Sequence, residues 1–243
     1  MMRKDMVLAI VASLLVGLLI GTSVMPVKEV TKDVVKEAPN LPSFTVGINV
    51  PAVDNEGRGI ATKLTVESKP GTGRILTNID KLVFWVDTQS SIRTAMLVAE
   101  NYTGVETDAL DIIYTIKSDN ATVVGGPSAG AALTLATIAA LEEKQLNGSV
   151  MITGTINNDG SIGVVGGVME KAKAAKGIGA TLFLVPVGEG TENTMKPVEK
   201  CVQKPDFIYC ETRYETTHVS IGENVGIEVK EVATISDAAK YFL

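Results

Sequence analysis

From Phe44 to Val53 the chain alternates apolar and polar residues and reads as a strand. Gly59–Ile79 holds two further strand-like runs, broken by Lys69-Pro70-Gly71-Thr72-Gly73, a composition that predicts a hairpin turn between them. In Ser90–Tyr102 the period lengthens: Ile92, Ala95, Met96 and Ala99 recur at helical spacing, with serines at hand to cap the helix. Asp111–Ile116 is a short β-branched strand. Ala131–Leu141 is apolar throughout and closed by Glu142-Glu143-Lys144. It is too short to cross a bilayer and too apolar for a surface helix, which predicts a core helix. Val150–Thr155 and Gly160–Val165 flank Asn157-Asn158-Asp159-Gly160, a strong hairpin turn. A helix over Val168–Ala175, ended by Gly177, and a strand over Leu182–Val185, stopped by Pro186, come next. Residues 187–226 show no period and read as irregular. Ile227–Val232 and Ser236–Phe242 close the chain as a strand and a helix capped by Ser236. The fold class is α+β.

A different pattern precedes this domain. Met6 to Met25 is a run of 20 residues without a charge, and as a helix it spans about 30 Å, the thickness of a bilayer core. The expectation for 1–25 is a single-pass anchor, with a cleaved signal peptide as the alternative, since Gly21-Thr22-Ser23 offers small residues for cleavage. Residues 26–42 alternate lysines with acids and end at Pro39 and Pro42, which predicts a charged stalk and a domain over 43–243. Lysine and arginine nearly balance across the run, so they leave its orientation open. Three Asn-x-Ser/Thr sequons, at Asn101, Asn120 and Asn147, and the pair Cys201 and Cys210 lean toward an extracytoplasmic domain.

Composition narrows the function classes. At 45% hydrophobic and 21% charged the chain is globular, and a net charge of −6 gives no basic face for nucleic acid. Cys201 and Cys210 form either one local bridge or two free thiols, and both readings stand. With one histidine, His218, and no Cys-x-x-Cys, neither a metal site nor another cofactor is expected.

Chemistry concentrates at Gly125-Gly126-Pro127-Ser128-Ala129-Gly130, a glycine-rich turn that opens the core helix. Glycines let a substrate approach closely, and the free N–H groups of a helix start can receive an oxyanion. Gly126 to Gly130 also fits the Gly-x-Ser-x-Gly elbow of α/β-hydrolases. That reading needs an acid and then a histidine, and Asp206, Glu211 or Glu215 followed by His218 supplies the order. It stays open as an esterase alternative.

A second motif, Gly166-Gly167-Val168-Met169-Glu170-Lys171, opens the helix after the hairpin, with Lys171 43 positions beyond Ser128. Together with Thr153-Gly154-Thr155-Ile156 between them, the two motifs resemble the proteolytic domain of the Lon protease family. The likeness extends to Thr65-Val66-Glu67, Pro70–Gly73 and Gln89–Ile92 and to the closing residues from Glu231. It implies an archaeal-type, ATPase-less, membrane-anchored member, because no Gly-x4-Gly-Lys-[Ser/Thr] loop occurs. It implies a Ser-Lys dyad of Ser128 and Lys171, support from Thr153, and an oxyanion hole of the Ser128 N–H with that of Gly125 or Gly126. It further implies unfolded-polypeptide or peptide substrates, a homo-oligomeric ring, six by family analogy, and a separate ATPase as a possible partner. A catalytically silent, membrane-tethered peptide-binding protein is the remaining alternative. Two departures stand out: Gly125 occupies a position often acidic in the family, and 187–226 is longer than the family's loop.

Overall fold

A computed structural model describes residues 43–78, 83–84, 86–117, 123–124 and 126–243, together with Leu15. The anchor and stalk expected over 1–42 lie outside the described residues, Leu15 apart, and so does Gly125. No helix among the described residues is long and apolar enough to cross a membrane.

In chain order the elements are β1 (Phe44–Val53), β2 (Gly59–Pro70), β3 (Ile75–Asn78), β4 (Val83–Phe84), α1 (Val86–Thr103), β5 (Leu110–Lys117) and β6 (Val123–Val124). A single 3₁₀ turn, Pro127–Ala129, leads into α2 (Gly130–Leu141). Then come β7 (Val150–Ile152), β8 (Thr155–Ile156), β9 (Ile162–Gly163), α3 (Val168–Gly177) and β10 (Leu182–Pro186). The chain finishes with β11 (Thr191–Lys204), β12 (Phe207–Ser220), α4 (Ile221–Val225), β13 (Glu228–Val232) and α5 (Ile235–Phe242).

Two sheets build the α+β body. The first has the order β1-β2-β5-β3, the second the all-parallel order β13-β10-β7. Alternation in β1 and β2 turns Val46, Ile48 and Val50, with Leu64 and Val66, toward one core. That core also takes Ile112 and Tyr114 of β5, the inner face of α1, and α2. Every residue of α2 from Gly130 to Ala140 is buried, which explains the missing polar stripe. Its polar atoms are satisfied inside: Thr134 and Thr137 donate to carbonyls four residues back, and the Tyr114 hydroxyl meets Thr137 Oγ1 at 2.7 Å. A second core packs Val168, Met169, Ala172 and Ala175 of α3 against Met151, Phe183 and Val185 of the parallel sheet and Ile221 and Val225 of α4.

Several expectations need correcting. Residues 59–79 do not form a hairpin: β3 pairs with β5 in parallel, and β5 lies between it and β2. The reason is Asp111. Its buried carboxylate accepts from Thr72 N and Arg74 N and from the Arg74 guanidinium, which pulls the glycine turn over to β5. The same bonds, the Arg74 side chain first, hold that carboxyl well below the usual carboxylate range. Helix α1 starts at Val86, four residues ahead of the first capping serine considered. The cap of α5 is Thr234, whose Oγ1 accepts from Asp237 N, and not Ser236.

The largest correction falls in 187–226. Instead of an irregular loop, β11 and β12 form a 14-pair antiparallel hairpin from Thr191↔Ser220 to Lys204↔Phe207, followed by α4. Register places Cys201 opposite Cys210, and the two are joined in a disulfide. Lys196 stands opposite Glu215 and Lys200 opposite Glu211, opposite-charge pairs of the kind that favour cross-strand pairing.

Candidate active site

The Ser128 turn is built by backbone requirements. Gly126 has φ +92°, a conformation that side chains resist, and it aims the chain into the 3₁₀ turn. Pro127 opens that turn with its fixed φ. At Gly130 a Cβ would sit 2.8 Å from the backbone nitrogen of Ile156, so the helix reaches β8 only with glycine there. The chain after β7 then clamps the turn. Gly154 N donates to Ser128 O at 3.0 Å, Thr153 Oγ1 donates to the same carbonyl at 3.4 Å, and Ala131 N donates to Gly154 O at 3.1 Å. Thr153 is fully buried, and its own N–H donates to Leu184 O of β10, which fastens the serine turn to the parallel sheet.

Lys171 lies in the first turns of α3, its N–H bonded to Gly167 O. Its side chain is among the most buried charged groups described, with 4% of the residue exposed. Among the described residues it makes no salt bridge. Burial lowers its pKa from 10.5 to about 8, and the Glu189 carboxylate works weakly in the opposite direction. Glu189 itself is held by the N–H of Val165, which donates to both carboxylate oxygens at 3.1 and 3.2 Å.

Ser128 and Lys171 face one cleft of ≈ 480 Å³. Ala52 and Val53 at the end of β1 form one wall, Gly126, Pro127 and Thr155 adjoin the serine, and Val164–Gly167 lead to the lysine. Val53 and Val164 are exposed at its mouth, an apolar rim open to an incoming chain. Among the described residues, no group of metal-ligating side chains lines this cleft. The one grouping of ligand-type residues found among the described residues is Glu199 with Cys201 and Cys210, and those two sulfurs are bonded to each other.

The structure therefore brings Ser128, Gly126 and Lys171 together, with Thr153 buried behind the serine. The Thr153 hydroxyl points its proton at the Ser128 carbonyl. Gly125 lies outside the described residues. His218 is exposed on β12 opposite Asn193, with Glu211 and Glu215 exposed on the same strand, and none of them lines the cleft. Sequence reasoning missed Glu189, Thr155 and the Ala52–Val53 wall. Thr155 stood inside a recognised motif, whereas Glu189 and the wall reach the site through space alone.

A family model for the Lon protease (S16) C-terminal proteolytic domain matches residues 89–219. The Lon protease of Ureaplasma parvum serovar 3 is 25% identical over 197 residues, 77% of this chain and 24% of that protein. The archaeal Lon protease of Methanocaldococcus jannaschii is 34% identical over 138 residues, covering 54% and 21%. The Lon protease of Clostridioides difficile is 35% identical over 102 residues, covering 41% and 13%. The chain spans about a quarter or less of the length of these relatives. Since the matched residues include the serine turn, the Thr153 clamp and the lysine helix and make up more than half of the sequence, the chain belongs to the Lon protease (S16) C-terminal proteolytic domain family.

Proposed function

We propose that this chain is a serine endopeptidase in which Ser128 is the nucleophile and Lys171 the general base. The observation that carries the reading is a buried lysine, without an ion pair among the described residues, in the cleft that Ser128 faces. At a pKa of about 8, about one amine in ten is neutral at pH 7, against roughly one in three thousand for a free lysine. Neutral Lys171 takes the proton from Ser128 Oγ as the oxygen bonds to the substrate carbonyl carbon. The oxyanion is received by the N–H of Ser128 and that of Gly125 or Gly126. Lys171 then passes its proton to the departing amine, the C–N bond breaks, and an acyl-Ser128 ester remains. Water deprotonated by the same amine hydrolyses the ester. Thr153 holds the Ser128 carbonyl, and its oxygen lone pairs orient the Lys171 amine.

The substrates of this reading are peptides and unfolded segments, which enter the cleft as extended chain. On this reading peptide cleavage by these residues does not consume ATP, and unfolding of folded substrates would be the work of an ATPase. A single-pass anchor over 1–25, a stalk over 26–42 and a domain on the extracytoplasmic side complete the proposal. The Cys201–Cys210 disulfide supports that side, because such bonds persist in oxidising compartments. A homo-oligomeric ring follows from family analogy alone.

The test is labelling with a serine-reactive fluorophosphonate, followed by mapping of the modified residue, alongside cleavage of casein and a fluorogenic peptide. The expected label is on Ser128, with Ser128→Ala folded and inactive and ATP without effect. Hydrolysis by folded Ser128→Ala would overturn the assignment.

A further inference from the structure

Among the described residues β11 and β12 pair only with each other, so each strand keeps one free edge. A two-stranded ribbon alone is marginal in water, and an uncovered edge is a template for another strand. The register says which residues line those edges. At the foot of the hairpin Ile221 N donates to Gly190 O. From there, pairs that exchange backbone bonds alternate with pairs that do not. Cys201 and Cys210 fall on a pair that does not, in keeping with Cα atoms only 4.0 Å apart. The odd-numbered residues of β11 and the even-numbered residues of β12 therefore turn their backbone groups outward. On β11 that row includes Pro197, which has no N–H to offer. On β12 it runs through Ile208, Cys210, Thr212, Tyr214, Thr216 and His218 without a proline. One edge is blunted and the other is open.

We propose that the open edge of β12 pairs with β12 of a second copy of this chain, antiparallel about a two-fold axis at Thr212. The inference is independent of the peptidase reading. Thr212 exchanges backbone bonds with the partner's Thr212, and Cys210 with the partner's Tyr214. Side chains decide the register. Glu211 stands opposite the partner's Arg213 and Arg213 opposite the partner's Glu211, opposite-charge pairs that favour cross-strand pairing. Within one chain these two side chains already meet at 3.0 Å, and pairing joins both sets into one cluster of alternating charge. Tyr214, 70% exposed, comes to lie beside the partner's disulfide, and Ile208, 64% exposed, beside the partner's Thr216. An axis at Glu211 or at Arg213 sets like charges face to face, and an axis at Cys210 pairs no charges. An axis at Tyr214 matches Arg213 with Glu215 but carries the partner's Phe207 opposite Ile221, where β12 has ended and α4 begins. The product is a continuous sheet of the order β11-β12-β12-β11, with the proline-bearing strands outermost. Such a contact closes at two copies, unlike the head-to-tail contact that builds a ring.

Sedimentation equilibrium of the full chain in detergent at low salt, with circular dichroism as the control for folding, tests the pairing. Wild type is expected to associate, and Thr212→Pro to halve the mass of the assembly, because it removes an outward N–H and leaves the hairpin's own ladder whole. Glu211→Arg and Arg213→Glu, each alone, set like charges opposite each other at both sites and weaken association by about ten-fold or more. Mixed in equal amounts, the two variants bring opposite charges together at both sites and recover the wild-type affinity as heterodimers. A role for Glu211 and Arg213 confined to one chain does not produce that recovery. A wild type that stays single, a folded Thr212→Pro that associates like wild type, single charge variants that associate like wild type, or a mixture that does not recover overturns the pairing. Were Thr212→Pro unable to fold, the charge variants and their mixture would still decide.

Discussion

Replacing Lys171 by methionine should destroy activity and make the protein more stable. The folded structure holds this amine at a pKa of about 8 against 10.5 in the open chain. Each pKa unit corresponds to about 1.4 kcal/mol, so keeping Lys171 protonated inside the fold costs ~3 kcal/mol. The sign follows from proton binding. Below about pH 8 both folded and unfolded chains carry the proton and the full cost is present. Between about 8 and 10.5 the folded chain has lost it while the unfolded chain keeps it, so stability climbs with pH. Methionine has similar length, carries no charge, and suits a helix that already buries Val168, Met169 and Ala172. At pH 7 the variant should gain up to ~3 kcal/mol, about 6–12 °C in melting temperature for a domain this size. The gain should shrink steadily toward pH 10. Urea or thermal denaturation of both proteins at several pH values measures it. A variant less stable than wild type at pH 7, or a gain that does not change with pH, would refute the view of Lys171 as a charge held against solvation.

Other consequences are open to quick assay. For wild type, kcat/KM should rise with pH to a midpoint near 8, and Glu189→Gln should move the midpoint lower, because that carboxylate stabilises the protonated amine; an upward move would contradict the assignment of its influence. Lys171→Arg should be inactive, since guanidinium does not give up its proton, whereas exposed His218→Ala should keep most activity; a folded but dead His218→Ala would transfer the base to histidine. Gly130→Ala should cost about 1–3 kcal/mol of stability and lower kcat, as its methyl drives into Ile156 and loosens the serine turn; unchanged melting and turnover would show that β8 yields freely.

The site was more legible in the sequence than the sheets were. Backbone-dictated features announce themselves: the run from Gly126 to Gly130, the all-apolar α2 and the glycines ahead of α3 each follow from a local demand. Strand order does not. Pairing of β3 with β5 depends on Asp111, a residue 37 to 39 positions from its partners, and no local period records it. The long hairpin was invisible for another reason. Most of β11 and β12 is exposed on both faces, so no apolar residue is required at every second position, and Pro197 inside β11 argues against a strand. The disulfide shared this fate: nine residues of separation allow a bridge, but only the register sets the two cysteines opposite each other. Glu189 reaches the site through space, from a segment with no signal of its own.

The hairpin also closes where it begins. Ile221 N donates to Gly190 O at 3.0 Å, and Gly190 N is held by the Glu231 side chain of β13. For the rest of the domain, the excursion from Thr191 to Ser220 starts and ends at one point. Its length is a free parameter for the parallel sheet, because β10 and β13 register with each other whatever happens between them. Loop-closure entropy grows slowly with length, and here the hairpin's own pairing offsets it. Chains of this architecture can therefore lengthen, shorten or exchange this one projection over generations while the serine turn and the lysine helix stay fixed. Variation in what the chain meets at its surface is uncoupled from the geometry of the cleft.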